Sequence, residues 1–322
     1  MSPLDPQTPA TAADWPVLPT QGWWDTRETL HLWSQIVGKI RMECSPWVNH
    51  SWSVPLYVTA RGLTTSPIPY GGLSFEIEFD FIEHVLPIRA SDGRTRSLRL
   101  EPKSVAEFYA ELLGTLRELD IDVSIHPMPN ELPDPIPFPD DEVHGTYLPE
   151  HARALMDALV QSDRVLKDFR ARFTGKCSPV HFFWGSFDLA VTRFSGRTAP
   201  EHPGGIPFLP DEITREAYSH EVSSCGFWPG NRDSPEPFFY SYAYPAPEGY
   251  AEAAVEPAAA RWLADLGEFV LPYEAVRTSD SPDEVIHTFL QSTYAAAADL
   301  AGWDRENLEW ERGFRPLARR KF

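Results

Sequence analysis

Apolar positions along this chain recur with two periods, one helical and one strand-like, and the two regimes alternate. In "DTRETLHLWSQIVGKIRM", Leu30, Trp33, Val37 and Ile40 form one stripe at helical spacing, and Asp25 and Glu28 stand at capping-box spacing before it. His31 and Gln35, four apart, sit beside that stripe. "HSWSVPLYVTARGL" and "LSFEIEFDFIEHVLPI" then read as strands. In the second of these Phe75, Ile77, Phe79 and Phe81 fall on one face, and Glu76, Glu78 and Asp80 on the other. "SDGR" (Ser91 to Arg94) carries the Asp-Gly hairpin signature, and "TRSLRLE" returns as a third strand. "SVAEFYAELLGTLRELDI" is helical, with a capping box at Ser104 and Glu107 and a stripe of Val105, Phe108, Leu112 and Leu116.

The same order recurs downstream. "PEHARALMDALVQSDRVLKDFRARF" is a long helix with Pro149 in its first turn. "SPVHFFWGSFDLAVTRFSGR" (Ser178 to Arg197), "REAYSHEVSSCGFWPGN" and "PFFYSYAYPAP" read as three strands. "PAAARWLADLGEFVL" and "SPDEVIHTFLQSTYAAAADLAG" read as helices. "NHSWSVPLYVTARG" and "VHFFWGSFDLAVTRFSG" share a His, a Trp and a similar Leu-x-Val-Thr ending. The pattern therefore predicts an α+β fold: two related βββα-like halves with antiparallel sheets, joined by a long helix. The expected boundaries are a flexible arm over 1–20, a first αβββα half over 21–145, a second over 146–303 in one globule with the first, and a tail over 304–322.

Composition narrows the picture. The chain has 322 residues, 42% of them hydrophobic, enough for a core that folds without staples. Its formal net charge of −19 argues against nucleic acid, which needs a basic footprint, and against anionic membranes. Three cysteines (Cys44, Cys177, Cys225) with no CxxC spacing disfavour a disulfide framework or a thiolate zinc site. The N-terminal stretch lacks the basic and apolar regions of a signal peptide, and no run of 18 apolar residues spans a membrane, so the expected location is the cytoplasm. Prolines, 32 in all, cluster in "HPMPNELPDPIPFPDD" and "PEHPGGIPFLPDE". These read as stiff connectors lying on a surface.

The runs "DTRETLHLWSQIVGKIRM", "NHSWSVPLYVTARGLTTSPIPYG", "GKCSPVHFFWGSFDLAVTRFSGR" and "REAYSHEVSSCGFWPG" resemble an uncharacterised, actinobacteria-rich bacterial family of unknown function. The resemblance runs from about Trp15 to Trp303. It implies a cytoplasmic bacterial protein of one domain type, and no activity or catalytic residue.

Candidate chemistry therefore rests on the residues alone. His181 and Asp188 sit among aromatics on a strand that looks buried on both faces. A buried Asp188 needs a partner, for which Arg193 and Arg197 are in reach along the chain. His220 could face His181 across a strand pair and, with a carboxylate such as the adjacent Glu221, complete a facial metal triad, although the spacing matches no metal signature. His50 stands in a place like that of His181. The loop from Ala60 to Gly72 carries Arg61 and several hydroxyls that suit an anion. Trp184 and Arg197 complete the proposed substrate wall. No GxGxxG, GxxxxGK[ST], GxSxG or CxxCH is present.

These residues point to an enzyme acting on a small polar or anionic metabolite. Its site would lie between the halves, with His181, Asp188, His220 and Glu221 as the chemistry and Arg61, Trp184, Arg197 and His50 as the binding groups. A metal remains open, and the sequence gives no cofactor and no oligomeric state. The alternative is a non-catalytic ligand-binding or scaffold protein with an aromatic groove formed by Trp52, Trp184, Phe227 and Trp228.

Overall fold

A computed structural model describes residues 10–18 and 22–310. The first half opens with α1 (Trp23–Cys44). A six-stranded antiparallel sheet follows: β1 (Tyr57–Val58), β2 (Gly62–Thr64), β3 (Ile68–Tyr70), β4 (Leu73–Asp80), β5 (Val85–Ala90) and β6 (Thr95–Arg99). The half closes with α2 (Val105–Arg117). The second half opens with α3 (Pro149–Ala171). It continues through β7 (His181–Phe183), β8 (Asp188–Thr198), α4 (Asp211–Ala217), β9 (His220–Trp228), β10 (Phe238–Tyr244), β11 (Arg261–Leu263) and β12 (Glu268–Pro272). Helices α5 (Tyr273–Arg277), α6 (Pro282–Leu300) and α7 (Arg305–Leu308) end it. The strand order in this second sheet is β11-β12-β10-β9-β8-β7, also antiparallel. The fold is α+β, and each half runs helix, antiparallel sheet, helix.

The two sheets touch edge to edge. Leu56 and Phe182 exchange backbone hydrogen bonds of 2.9 and 2.7 Å where β1 meets β7. One face of the combined sheet carries the core. Phe75, Ile77, Phe79 and Phe81 of the first half share that core with Leu189, Val191, Phe227 and Phe239 of the second, against Ile36, Ile40, Leu159, Leu166, Phe289 and Leu290 from the helices. The opposite face is left to connectors and side chains, and it holds the polar groups described below.

Several expectations change. Each half has six strands rather than three, because short edge strands such as β1, β3 and β11 give little period to read. The segment "PAAARWLADLGEFVL" is the β11–β12 hairpin rather than a helix; Trp262 and Phe269 face each other across it with ring centroids 5.0 Å apart. The start of "REAYSHEV" closes α4 instead of a strand. Of the supposed flexible arm, the described part is packed: Trp15 is buried on Phe239 and Tyr273, and the Tyr273 hydroxyl donates to the Pro16 carbonyl at 2.9 Å. Residues 1–9, 19–21 and the basic "RPLARRKF" end lie outside the described residues. The capping box at Ser104 and Glu107 forms as expected. Among the described residues no helix is long and apolar enough to cross a membrane.

Candidate functional site

The outer face of the second sheet is built in rows set by strand register. Ala190, Gly226, Tyr240 and Val270 pair across β8, β9, β10 and β12; Thr192, Ser224 and Tyr242 form the next row. Gly226 is the key to this face. Without a side chain it leaves a notch in β9, and the Tyr240 ring lies across it. A Cβ at Gly226 would stand 2.5 Å from the Tyr240 hydroxyl oxygen and 2.6 Å from its Cζ. The Tyr240 hydroxyl thereby reaches Asp188, to which it donates a hydrogen bond, and Ser186 donates to the other oxygen of the same carboxylate. Tyr242 lies nearly parallel to Tyr240, with ring centroids 6.2 Å apart. Its hydroxyl accepts from Tyr218 at 3.0 Å, and Thr192 and Ser224 hydroxyls meet at 2.8 Å beneath it. Trp228 and Phe238 extend the aromatic wall, and the Trp228 indole donates to the Ser186 carbonyl at 3.2 Å.

Asp188 is 8% exposed and acts electrostatically on two further acids, Glu131 and Glu268. Burial pushes the Asp188 carboxyl up, while the Ser186 and Tyr240 hydroxyls oppose that shift by binding its charged form. Burial first, and the Asp188 charge second, raise Glu131 to about 7 and Glu268 to about 8. Burial also raises Tyr218, Tyr240 and Tyr242. Near neutral pH Glu131 and Glu268 thus hold protons that ordinary glutamates would have lost. Among the described residues, none of the three acids forms an ion pair.

Glu131 comes from the first proline connector, in the left-handed region at φ 57°, as is Phe187 at φ 60°. Non-glycine residues in that region mark places where surrounding structure overrides local preference. A side chain at Gly185 would collide with the Glu131 carboxyl. A polar spine on α1 holds both loops: Arg27, His31, Gln35 and Lys39 stand four residues apart and are all buried. His31 Nε2 donates to the Gly185 carbonyl at 2.8 Å, and its Nδ1 accepts from Arg27 at 3.3 Å. Burial and the Arg27 charge hold this imidazole neutral, its pKa lowered to about 3. Gln35 pairs twice with the Asn130 backbone, at 2.7 and 2.9 Å, and Lys39 donates to the Asn130 side chain at 2.5 Å. The first half therefore positions a carboxyl over the second half's sheet.

The matching face of the first sheet is different. Its acids are all paired: Arg61 with Asp80 at 2.5 Å, Arg89 with Glu76 at 3.1 Å and with Glu78 at 3.0 Å, and Glu78 also accepts from Thr59 at 2.9 Å. Arg61 is thus bound to its own sheet and does not form an anion cradle.

The remaining sequence candidates scatter. His181 is buried against Tyr57 and Phe183; burial and the Arg41 charge lower it to about 3, and its Nδ1 has no partner. It sits opposite Ala190, whereas His220 sits opposite Thr198, about 25 Å further along β8. The two histidines do not face each other, and among the described residues no group of three His, Cys, Asp or Glu could hold a metal ion. His220 instead meets His50, with ring centroids 6.0 Å apart. Arg193 does not pair with Asp188, because it faces the core side of β8, enclosed by the Phe169, Phe173 and Tyr294 rings. Arg197 pairs with Glu221 at 2.7 Å and donates to the Ala301 carbonyl at 2.7 Å, tying β9 to the end of α6. Trp184 is a core anchor; its indole donates to the Val54 carbonyl at 2.9 Å and fills the space above Gly38. Phe227 also belongs to the core, so of the supposed aromatic groove only Trp228 lines this site. Of the eight sequence candidates, Asp188 alone belongs to the tyrosine and carboxylate cluster. Glu131, Glu268, Tyr218, Tyr240 and Tyr242 were missed. The signal that could have found the tyrosines is "FFYSYAY", whose alternate tyrosines share one face.

Fold and site together define an α+β protein with a carboxylate and tyrosine cluster assembled from both halves. The chain belongs to the family of unknown function DUF5996, whose pattern it matches over residues 15–310. No curated protein and no solved structure matches it.

Proposed function

We propose that the carboxylate and tyrosine cluster on the outer face of the second sheet binds a small organic cation, an amine or guanidinium compound, between Asp188, Glu131 and Glu268 and the tyrosine rings. The observation that carries this reading is the unmatched charge. On the first sheet every corresponding acid has an arginine; on the second the acids are gathered, buried and left without one. A bound cation would supply the missing charge, and the faces of Tyr240, Tyr242 and Trp228 favour the same sign of ligand through their π systems. The ligand class is thus cationic, not the anionic metabolite expected from the histidines and arginines. We read the repeated order of elements as an internal duplication in which one half kept its acids paired and the other opened them to a ligand. The acidic chain accords with a water-borne protein that engages neither nucleic acid nor anionic lipid.

A second reading is acid–base catalysis on such a ligand. It is favoured by the two glutamates near neutrality, since a proton donor works best with a pKa close to the working pH. Thermal unfolding with a panel of agmatine, choline, spermidine, malonate and glucose tests the binding claim. The amines and guanidines should raise the unfolding temperature of the wild-type protein, and the Asp188→Asn variant should lose that response. Stabilisation by malonate and not by any cation would overturn the proposal.

A further inference from the structure

A second constellation stands on the same face, about 20 Å along β8 from Asp188. Lys176 pairs in register with Phe194, whose N–H donates to the Lys176 carbonyl at 3.0 Å, so both side chains leave the same side of the strand. The Lys176 Nζ lies 4.7 Å from the Phe194 ring centroid and 5.3 Å from that of Trp52. It donates a hydrogen bond of 2.7 Å to Nε2 of His50. The tautomer of His50 is fixed by its other nitrogen, since Nδ1 donates to the Ala217 carbonyl at 3.1 Å and leaves Nε2 as the acceptor. His50 is itself held in the left-handed region at φ 60°, its backbone N–H donating to both Glu216 carboxylate oxygens at 2.7 Å. His220 flanks the imidazole.

We propose that Lys176 is a nucleophilic amine, with His50 as its proton acceptor, that condenses with a small aldehyde or ketone. A nucleophile, a base within hydrogen-bond reach and a third group orienting that base form the arrangement by which proteins activate weak nucleophiles. Burial lowers the Lys176 pKa against the opposing Glu216 charge and so favours the free amine. The step balances without a further reactant. The Lys176 lone pair forms a C–N bond to the carbonyl carbon, the C=O π pair moves to oxygen, and one amine proton reaches that oxygen through His50 Nε2 to give the carbinolamine. The second amine proton passes by the same route to the carbinol oxygen. The C–O bond breaks, water leaves, and an imine remains on Nζ.

The test is trapping on the full chain with propionaldehyde and cyanoborohydride at limiting concentration, followed by peptide mapping. Lys167, an exposed lysine paired with Asp163, and Lys103, paired with Glu111, serve as internal references. Lys176 should be alkylated about fivefold or more faster than either, and His50→Gln should bring it down to the reference rate. The proposal is overturned if Lys176 in the wild-type protein reacts no faster than Lys167, a comparison that needs no variant. A folded His50→Gln protein that still reacts at the wild-type rate overturns it too.

Discussion

Removing the titratable group from position 268 should weaken the fall of stability with rising pH. Glu268 has an ordinary carboxyl pKa of 4.5 when unfolded and about 8 in the fold. A carboxyl whose folded pKa is raised contributes fully below the unfolded value and loses that contribution as pH climbs through the folded value. Stability should therefore fall between about pH 4.5 and pH 8, opposite to the trend set by ion-paired carboxylates. At 1.36 kcal/mol per pKa unit the shift sets a ceiling of about 5 kcal/mol. Solvent contact at this half-buried side chain brings the expected value to about 2–3 kcal/mol. Glu268→Gln keeps the shape and cannot ionise. Urea unfolding should place the variant within about 1 kcal/mol of wild type at pH 5 and about 2–3 kcal/mol above it at pH 9. In an Asp188→Asn background the difference should shrink, because the Asp188 charge contributes to the shift. A Glu268→Gln effect of equal size at both pH values would refute the reasoning.

Other substitutions probe the surrounding frame. Gly226→Ala forces a Cβ against the Leu189 carbonyl and the Tyr240 hydroxyl, and should cost about 2–4 kcal/mol in denaturant unfolding. Tyr240→Phe leaves the Asp188 carboxylate with Ser186 as its one side-chain donor; it should cost about 1–3 kcal/mol and abolish any cation response. Gly38→Ala drives the Trp184 ring out of its slot and breaks its bond to Val54; a loss of about 2–4 kcal/mol and a red-shifted tryptophan emission are expected. Arg89→Ala, which removes a half-exposed arginine from Glu76 and Glu78, should cost under about 1 kcal/mol in the same assay.

The elements legible in the sequence were those with a long period: α1, α2, α3 and α6, the alternating β4, and the β5–β6 turn at Asp92-Gly93. The failures have a common cause. In "PAAARWLADLGEFVL" the apolar residues suit a helix, but Trp262, Phe269 and Leu271 find partners only as an edge hairpin, and tertiary packing overrode local preference. The site was legible only at Asp188, where a charged residue stood in a run buried on both faces. Histidines drew attention because their chemistry is versatile, yet His181 is tucked against aromatic rings and His31 is held between Arg27 and Gly185. Glu131 and Glu268 looked like ordinary surface acids, since nothing local says that one connector folds over the sheet or that a glycine two strands from Glu268 lets a tyrosine lie flat. The α1 spine was half visible as His31 and Gln35; Arg27 and Lys39 extend it by one turn each way.

The most direct test of the central claim is calorimetric binding of agmatine at pH 7.5 in two buffers with different ionisation enthalpies. A cation seated among Asp188, Glu131 and Glu268 lowers the pKa of both glutamates. The account therefore predicts saturable binding with net proton release, and a smaller release in Glu268→Gln. Absence of binding, or binding with no proton released, would contradict it.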